Sequence, residues 1–184
     1  MVYHMTVAGL ERDLPICPVS ENLSIAGFVI FGDQELTVAC ARELLKKAPE
    51  YDYIITAEAK GIPLAHEMAR QAGDAKYFVA RKGSKLYMRD TFGVAVRSIT
   101  TDREQHLYLD GNDAKLIKGK RILVLDDVIS TGESLTALEA LVEKAGGIIC
   151  GRMAILAEGE AKDRKDIIYL EPLPLFNPDG TPKG

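Results

Sequence analysis

The run Arg121-Ile122-Leu123-Val124-Leu125-Asp126-Asp127-Val128-Ile129-Ser130-Thr131-Gly132-Glu133-Ser134 constrains the fold more than any other part of the chain. An apolar strand runs into two adjacent carboxylates and then into a small, hydroxyl-rich turn. Downstream, Leu135, Leu138, Leu141, Val142 and Ala145 recur at helical spacing, and Gly146-Gly147 supplies a stop. The turn therefore lies between a strand and a helix N-terminus. There the unpaired amides of the first helical turn and the macrodipole favour an anion, Thr131 and Ser134 add hydroxyl donors, and Gly132 permits close backbone approach.

Two aspartates beside a phosphate dianion repel it by several kcal/mol at roughly 5 Å and an effective dielectric of about 20. An ordinary strand-to-helix connection with a capping Asp explains one aspartate and the hydroxyls, but not Asp126 and Asp127 together. Either sugar hydroxyls, which donate to carboxylates, or a divalent metal held with them would compensate the repulsion. Both point to a ribose phosphate rather than a bare phosphate.

The 184 residues suffice for one substantial core, so a single domain over 1–184 is expected. Apolar residues at 47% and charged residues at 27% give the balance of a globular chain. A net charge of −4 without a basic run argues against nucleic acid as a partner. Cys17, Cys40 and Cys150 are odd in number, far apart and without a Cys-x-x-Cys pair, which suggests neither a disulfide framework nor a structural zinc site. His4, His66 and His106 show no metal-ligand spacing. The apolar stretch Ile25 to Phe31 is too short to span a membrane and has no basic leader, so a cytoplasmic protein with no membrane partner is expected.

Short apolar runs alternate with helical patterns at Tyr53 to Thr56, Lys76 to Ala80, Ile122 to Leu125, Ile148 to Leu156 and Ile167 to Leu170. Their near-continuous apolar character predicts an α/β fold, a doubly wound and mostly parallel sheet with helices on both faces and ligands at the strands' carboxyl ends. Asp33 caps a predicted helix reaching about Lys47, with Leu36, Ala39, Cys40 and Leu44 on one face. The proline-bearing flanks, 1–32 and 171–184, read as irregular, with Asn177 to Gly184 a candidate for disorder. Gly83 to Lys118 is long for a connection, and its pieces Phe92 to Arg97 and His106 to Leu109 suggest a mobile hairpin that could serve as a lid. Neither a Gly-x-x-x-x-Gly-Lys loop nor a Gly-x-Gly-x-x-Gly after a strand is present, which lowers kinase-like and dinucleotide readings.

Two further segments could meet anions. Ala57-Glu58-Ala59-Lys60-Gly61-Ile62-Pro63 follows the first of these strands, with Pro63 suited to an opening helical turn. Arg81-Lys82-Gly83-Ser84-Lys85 places three cations after the second, at the same sheet edge. Either segment alone could be a plain turn.

The run from Arg121 to Ser134 resembles the phosphoribosyl pyrophosphate (PRPP) signature of type I phosphoribosyltransferases, departing at Glu133, where many members have Gly, and at Ser134, where many have Thr. The segments around residues 58–61 and 81–85 resemble the same family's pyrophosphate contacts, and the surrounding run is similar to adenine phosphoribosyltransferases and purine-repressor-type domains. The resemblance implies that Asp126 and Asp127 face the ribose hydroxyls, and that Ile129, Ser130, Thr131, Gly132, Glu133 and Ser134 hold the 5′-phosphate. Glu58, Ala59, Lys60 and Gly61, with Arg81, Lys82 and Lys85, would meet the pyrophosphate. Ser98 to Glu104 would fall in the family's flexible catalytic loop, making Glu104 or Asp102 the candidate acid, with Arg103 an alternative phosphate contact. Leu14, Ile16 and Phe28, in a hood formed by the flanks, are candidate walls for the base, although packing on the core explains them without a ligand.

The implied reaction is Mg²⁺-dependent transfer of the 5-phosphoribosyl group from PRPP to a purine, adenine first and hypoxanthine, guanine or xanthine as alternatives, in a homodimer, with the metal carried by PRPP rather than by an assigned protein ligand. The rival is a non-catalytic PRPP-binding regulator of the purine-repressor type. Residues 1–32 are too few for a winged-helix module, which favours the enzyme.

Overall fold

The computed structural model of the protein describes residues 1–97 and 104–183. At its centre is a five-stranded sheet built from β4 (Tyr53–Ala57), β5 (Phe78–Ala80), β8 (Arg121–Ile129), β9 (Ile148–Glu158) and β10 (Ile168–Leu173), in the order β10-β9-β8-β4-β5 with every pair parallel. Because side chains alternate across a strand, Ile54, Leu123, Leu125 and Met153 enter one core, shared with α1 (Gln34–Leu45) and α2 (Ile62–Ala72). Ile55, Ile122, Val124 and Ala154 enter the other, shared with α3 (Gly111–Ile117) and α4 (Glu133–Lys144). With both faces covered, these strands can be apolar without a break, and the result is the doubly wound, parallel α/β sheet that the sequence predicts.

Asp33 caps α1 as its sequence predicts, accepting from the Leu36 amide at 3.0 Å. It is also paired with Arg12, whose Nε lies 2.7 Å away. The Arg12 guanidinium, followed by the Leu36 amide, outweighs burial and holds the Asp33 carboxyl below the usual range.

The flanks differ from expectation. Residues read as irregular form a three-stranded antiparallel sheet, β1 (Val2–Val7), β2 (Leu10–Ser20) and β3 (Leu23–Ala26), in the order β1-β2-β3. Pro15 and Pro18 are tolerated inside β2 because a proline still offers its carbonyl; that of Pro15 accepts from the Gly27 amide at 2.8 Å. The tail up to residue 183 is also hydrogen-bonded to the fold. Ser24 and Phe176 exchange two backbone hydrogen bonds of 2.9 Å, and the Asn177 amide reaches the Thr181 carbonyl at 2.8 Å. Phe176 is fully buried, edge-on to Tyr3, and so fastens the small sheet to the main core.

The expected hairpin exists as β6 (Phe92–Arg97) and β7 (Glu104–Leu109), anchored where Arg81 and Tyr108 exchange backbone hydrogen bonds of 2.9 and 2.8 Å. The short helix α3 escaped the sequence reading, since seven residues are too few to show a helical apolar period; Asp110 caps it through the Asn112 amide at 2.9 Å. The described residues include no helix long and apolar enough to cross a membrane.

Candidate active site

β8 continues four residues beyond the expected Leu125, so both aspartates lie within the strand, Asp126 in register with Ala154. Alternation sends them to different environments. Asp127 is 2% exposed, and Lys60 Nζ lies 2.8 Å from its Oδ2. Asp126 Oδ1 accepts from the Asp127 amide at 2.9 Å. Burial, then the neighbouring Asp127 charge, pushes the Asp126 carboxyl up, while Lys60 and the amide pull it back only in part. Two carboxylates are thus held together at the end of the central strand, where hydroxyl donors would relieve them.

Beyond them the chain turns into α4. Gly132 stands at the N-cap with φ +82°, a left-handed conformation that side chains resist, and no side chain caps the helix. Its carbonyl takes both the Thr136 amide (2.8 Å) and the Thr136 hydroxyl (2.9 Å), which fixes the first turn. Asp126, Val128 and the run Ile129 to Leu135 enclose a cavity of about 90 Å³ at this N-terminus, room for a single tetrahedral anion. All six residues expected around the 5′-phosphate therefore gather at one place. Glu133 is half-buried as the first residue of α4, where a negative side chain suits the helix dipole.

A larger cavity of about 350 Å³ joins Glu58, Ala59 and Lys60 to Lys82, Asp126, Asp127 and Ser134. The Glu58–Ala59 peptide is cis. Gly61 lies beneath, so close to Thr56 that a Cβ there would overlap the Thr56 hydroxyl. That hydroxyl is buried without a hydrogen-bond partner among the described residues. Glu58 has a role the sequence did not suggest, because its carboxylate accepts from the Lys82 amide at 2.9 Å and from Arg81 Nε. Burial opposes its ionisation, but these two donors prevail and hold it below the usual range. Arg81 also donates to the Tyr87 hydroxyl at 2.6 Å, and Lys85 acts on Glu58 through its charge. Glu58 therefore clamps the basic segment onto the strand-to-helix turn; of its cations Lys82 lines the cavity, whereas Arg81, held by Glu58 and Tyr87, and Lys85 do not, nor does Gly61.

The residues expected at the base and on the catalytic loop also fall elsewhere. Leu14 and Phe28 are packed in the core at 6% and 4% exposure, with Ile16 against them, and none lines either cavity. Their apolar character serves the junction between the two sheets. Glu104 alternates along β7 with Gln105 and Leu107, which do line the larger cavity; it points the other way and meets His106 Nε2 at 3.2 Å. The other candidates on that loop, Asp102 and Arg103, lie outside the described residues. Gln105 was missed because its direction depends on a hairpin register that its sequence alone leaves open.

A family model described as "Phosphoribosyl transferase domain" matches residues 31–172. A hypoxanthine/guanine phosphoribosyltransferase from Methanococcus voltae is 31% identical over 159 residues, which are 86% of this chain and 81% of that protein. The structure of an adenine phosphoribosyltransferase from Thermoanaerobacter pseudethanolicus superposes with a TM-score of 0.68 at 20% identity, covering 86% of this chain and 95% of the other. That of the Saccharomyces cerevisiae adenine enzyme, complexed with an imino-altritol bisphosphate and adenine, gives 0.64 at 21% identity over 86% and 92%. With the family model covering residues 31–172 and a relative at 31% identity over most of its length, the chain belongs to the phosphoribosyl transferase domain family.

Proposed function

We infer that the protein transfers the 5-phosphoribosyl group of PRPP to a purine base and releases pyrophosphate. The observation that carries this reading is the acid pair, Asp127 buried and Asp126 partly buried, set between an amide cradle on one side and the cations Lys60 and Lys82 on the other. As the C1′–oxygen bond loosens, positive charge grows on the ribose and negative charge on the leaving group. Asp126 and Asp127 accept the ribose hydroxyls and lie near the first charge. Lys60, Lys82 and Arg81 draw on the second, while the α4 N-terminus holds the 5′-phosphate and fixes the sugar. The base nitrogen then forms its bond to C1′ as the C1′–oxygen bond to pyrophosphate breaks, and its proton passes to the released pyrophosphate. β7 closes one wall with Gln105 and Leu107, which keeps water from the cation-like ribose.

Mg²⁺ fits this arrangement only together with PRPP. Among the described residues no group of three or more His, Cys, Asp or Glu side chains could hold a metal, and Asp127 already faces Lys60. Asp126 is the side chain best placed to approach a metal carried on PRPP oxygens, and the ion would add charge neutralisation at the pyrophosphate.

Adenine was the first acceptor suggested by the sequence. The likeness to adenine enzymes, at 20–21% identity, bears on the fold alone, whereas the relative at 31% identity is named for hypoxanthine and guanine. We therefore place the 6-oxopurines first and adenine second. Asp127→Asn, which keeps size but removes charge, should lower turnover at least a hundredfold while the thermal transition is retained. Wild-type turnover in that variant would remove the acid pair from the mechanism.

A further inference from the structure

A third cavity, of about 380 Å³, opens on the other side of the phosphate turn and shares Ser130 and Thr131 with the cradle. Its far wall comes from the end of β9, the 3-10 turn Gly159–Asp163, Leu175 and Arg164, whose guanidinium is engaged by Asp166 at 2.6 and 2.9 Å. Glu158, the last residue of β9, lines it at 9% exposure, and its carboxylate makes no hydrogen bond or ion pair with any described residue. The residue is nine-tenths buried while its unpaired carboxylate opens into the cavity, which leaves its acceptors available to a ligand that brings donors. Nothing in the PRPP cradle uses it.

The sheet order gives this cavity its place in the reaction. The pyrophosphate residues hang from β4 and β5, the acid pair from β8, and Glu158 from β9 on the opposite side. A ribose held on the acid pair with its leaving group toward β4 and β5 receives its incoming nitrogen from the β9 side. The apolar Ala161 and Leu175 offer surface for a flat ring there.

We propose that Glu158 reads the hydrogen-bonding edge of the acceptor base and selects purines that present N–H donors at ring position 1. The inference rests on the ribose-phosphate reading of the cradle. A carboxylate has only acceptors to offer. Guanine meets it with N1–H and the adjacent exocyclic amine, two parallel donors to two oxygens, and hypoxanthine meets it with N1–H. Adenine presents a lone pair at N1, which the carboxylate repels. A glutamine at this position would donate to adenine N1 and accept from its amine, so Glu158→Gln should reverse the preference.

Titration calorimetry with GMP and AMP tests this without requiring turnover, on the wild type, Glu158→Gln and Glu158→Ala. The expected result is GMP bound at least tenfold more tightly than AMP by the wild type. In Glu158→Gln, GMP should be weakened about ten- to a hundredfold while AMP is unchanged or tightened, and in Glu158→Ala the two should be nearly equal. A wild type that prefers AMP, or a GMP-to-AMP ratio unchanged in both variants, would overturn the proposal. Ribose 5-phosphate affinity is measured alongside; its retention in the variants shows that the cradle is intact, and its absence in the wild type would instead count against the ribose-phosphate reading.

Discussion

Asp126 and Asp127 are polar residues at the end of a strand whose preceding positions, Ile122 to Leu125, are wholly buried, and the position serves binding at a cost to stability. Asp126→Asn removes the repulsion and the desolvation while keeping the acceptor for the Asp127 amide. It should raise stability at neutral pH by about 1 kcal/mol or more, one raised pKa unit corresponding to about 1.4 kcal/mol, and abolish most turnover. The sign follows from linkage. A carboxyl whose folded pKa is raised binds its proton more tightly in the folded state, so its contribution is complete below about pH 4, where the unfolded group also titrates, and is lost as pH rises through the raised value. The Tm difference between the variant and the wild type should therefore widen from pH 4 toward neutrality. A difference that stays flat or narrows would show that Asp126 is not strained. The acid pair was legible because two adjacent carboxylates after an apolar strand are costly unless a ligand or a metal compensates them. Glu58 as a clamp was not, since its partners Arg81 and Lys82 lie just past the end of β5 and meet it only through the β4–β5 pairing.

At the scale of elements, the junctions between strands and helices do the positioning. Gly61 caps α2 where β4 turns over Thr56, and there is no room for a side chain. Gly61→Ala should cost about 1–3 kcal/mol through forced displacement of the turn and weaken PRPP binding, with the two effects read by thermal unfolding and by calorimetry. Unchanged affinity would mean that this turn does not meet the pyrophosphate. Helices were the more legible elements. Asp33 before an apolar stripe announced α1, and the stripe from Leu135 to Ala145 announced α4, because capping and 3.6-residue periodicity are local. The antiparallel sheet β1-β2-β3 was hidden by Pro15 and Pro18, whose presence normally argues against a strand and whose tolerance here depends on which backbone groups the neighbours use.

Across the whole molecule, the main sheet brings the turn after β4, the basic segment after β5, the acid pair and turn of β8 and Glu158 of β9 to the carboxyl ends of its strands, while the small sheet is tied on by the tail. Phe176 makes that tie, fully buried between Tyr3 and the main core. Phe176→Ala should cost about 3–5 kcal/mol; a loss under about 1 kcal/mol would show that the two sheets are held together by other contacts. The parallel sheet was legible from five apolar runs at βαβ spacing, but the docking of the flanks depends on contacts more than 150 residues apart in sequence, such as Ser24 with Phe176, for which a single sequence carries no local signal.

The central claim is tested most directly by incubating the protein with Mg²⁺, PRPP and, separately, guanine, hypoxanthine, adenine, xanthine, uracil and orotate, and following each mononucleotide and the released pyrophosphate by chromatography. The account predicts GMP or IMP formed with stoichiometric pyrophosphate, less AMP, and no pyrimidine nucleotide. PRPP bound with no nucleotide formed from any base would contradict it and make the protein a sensor of PRPP.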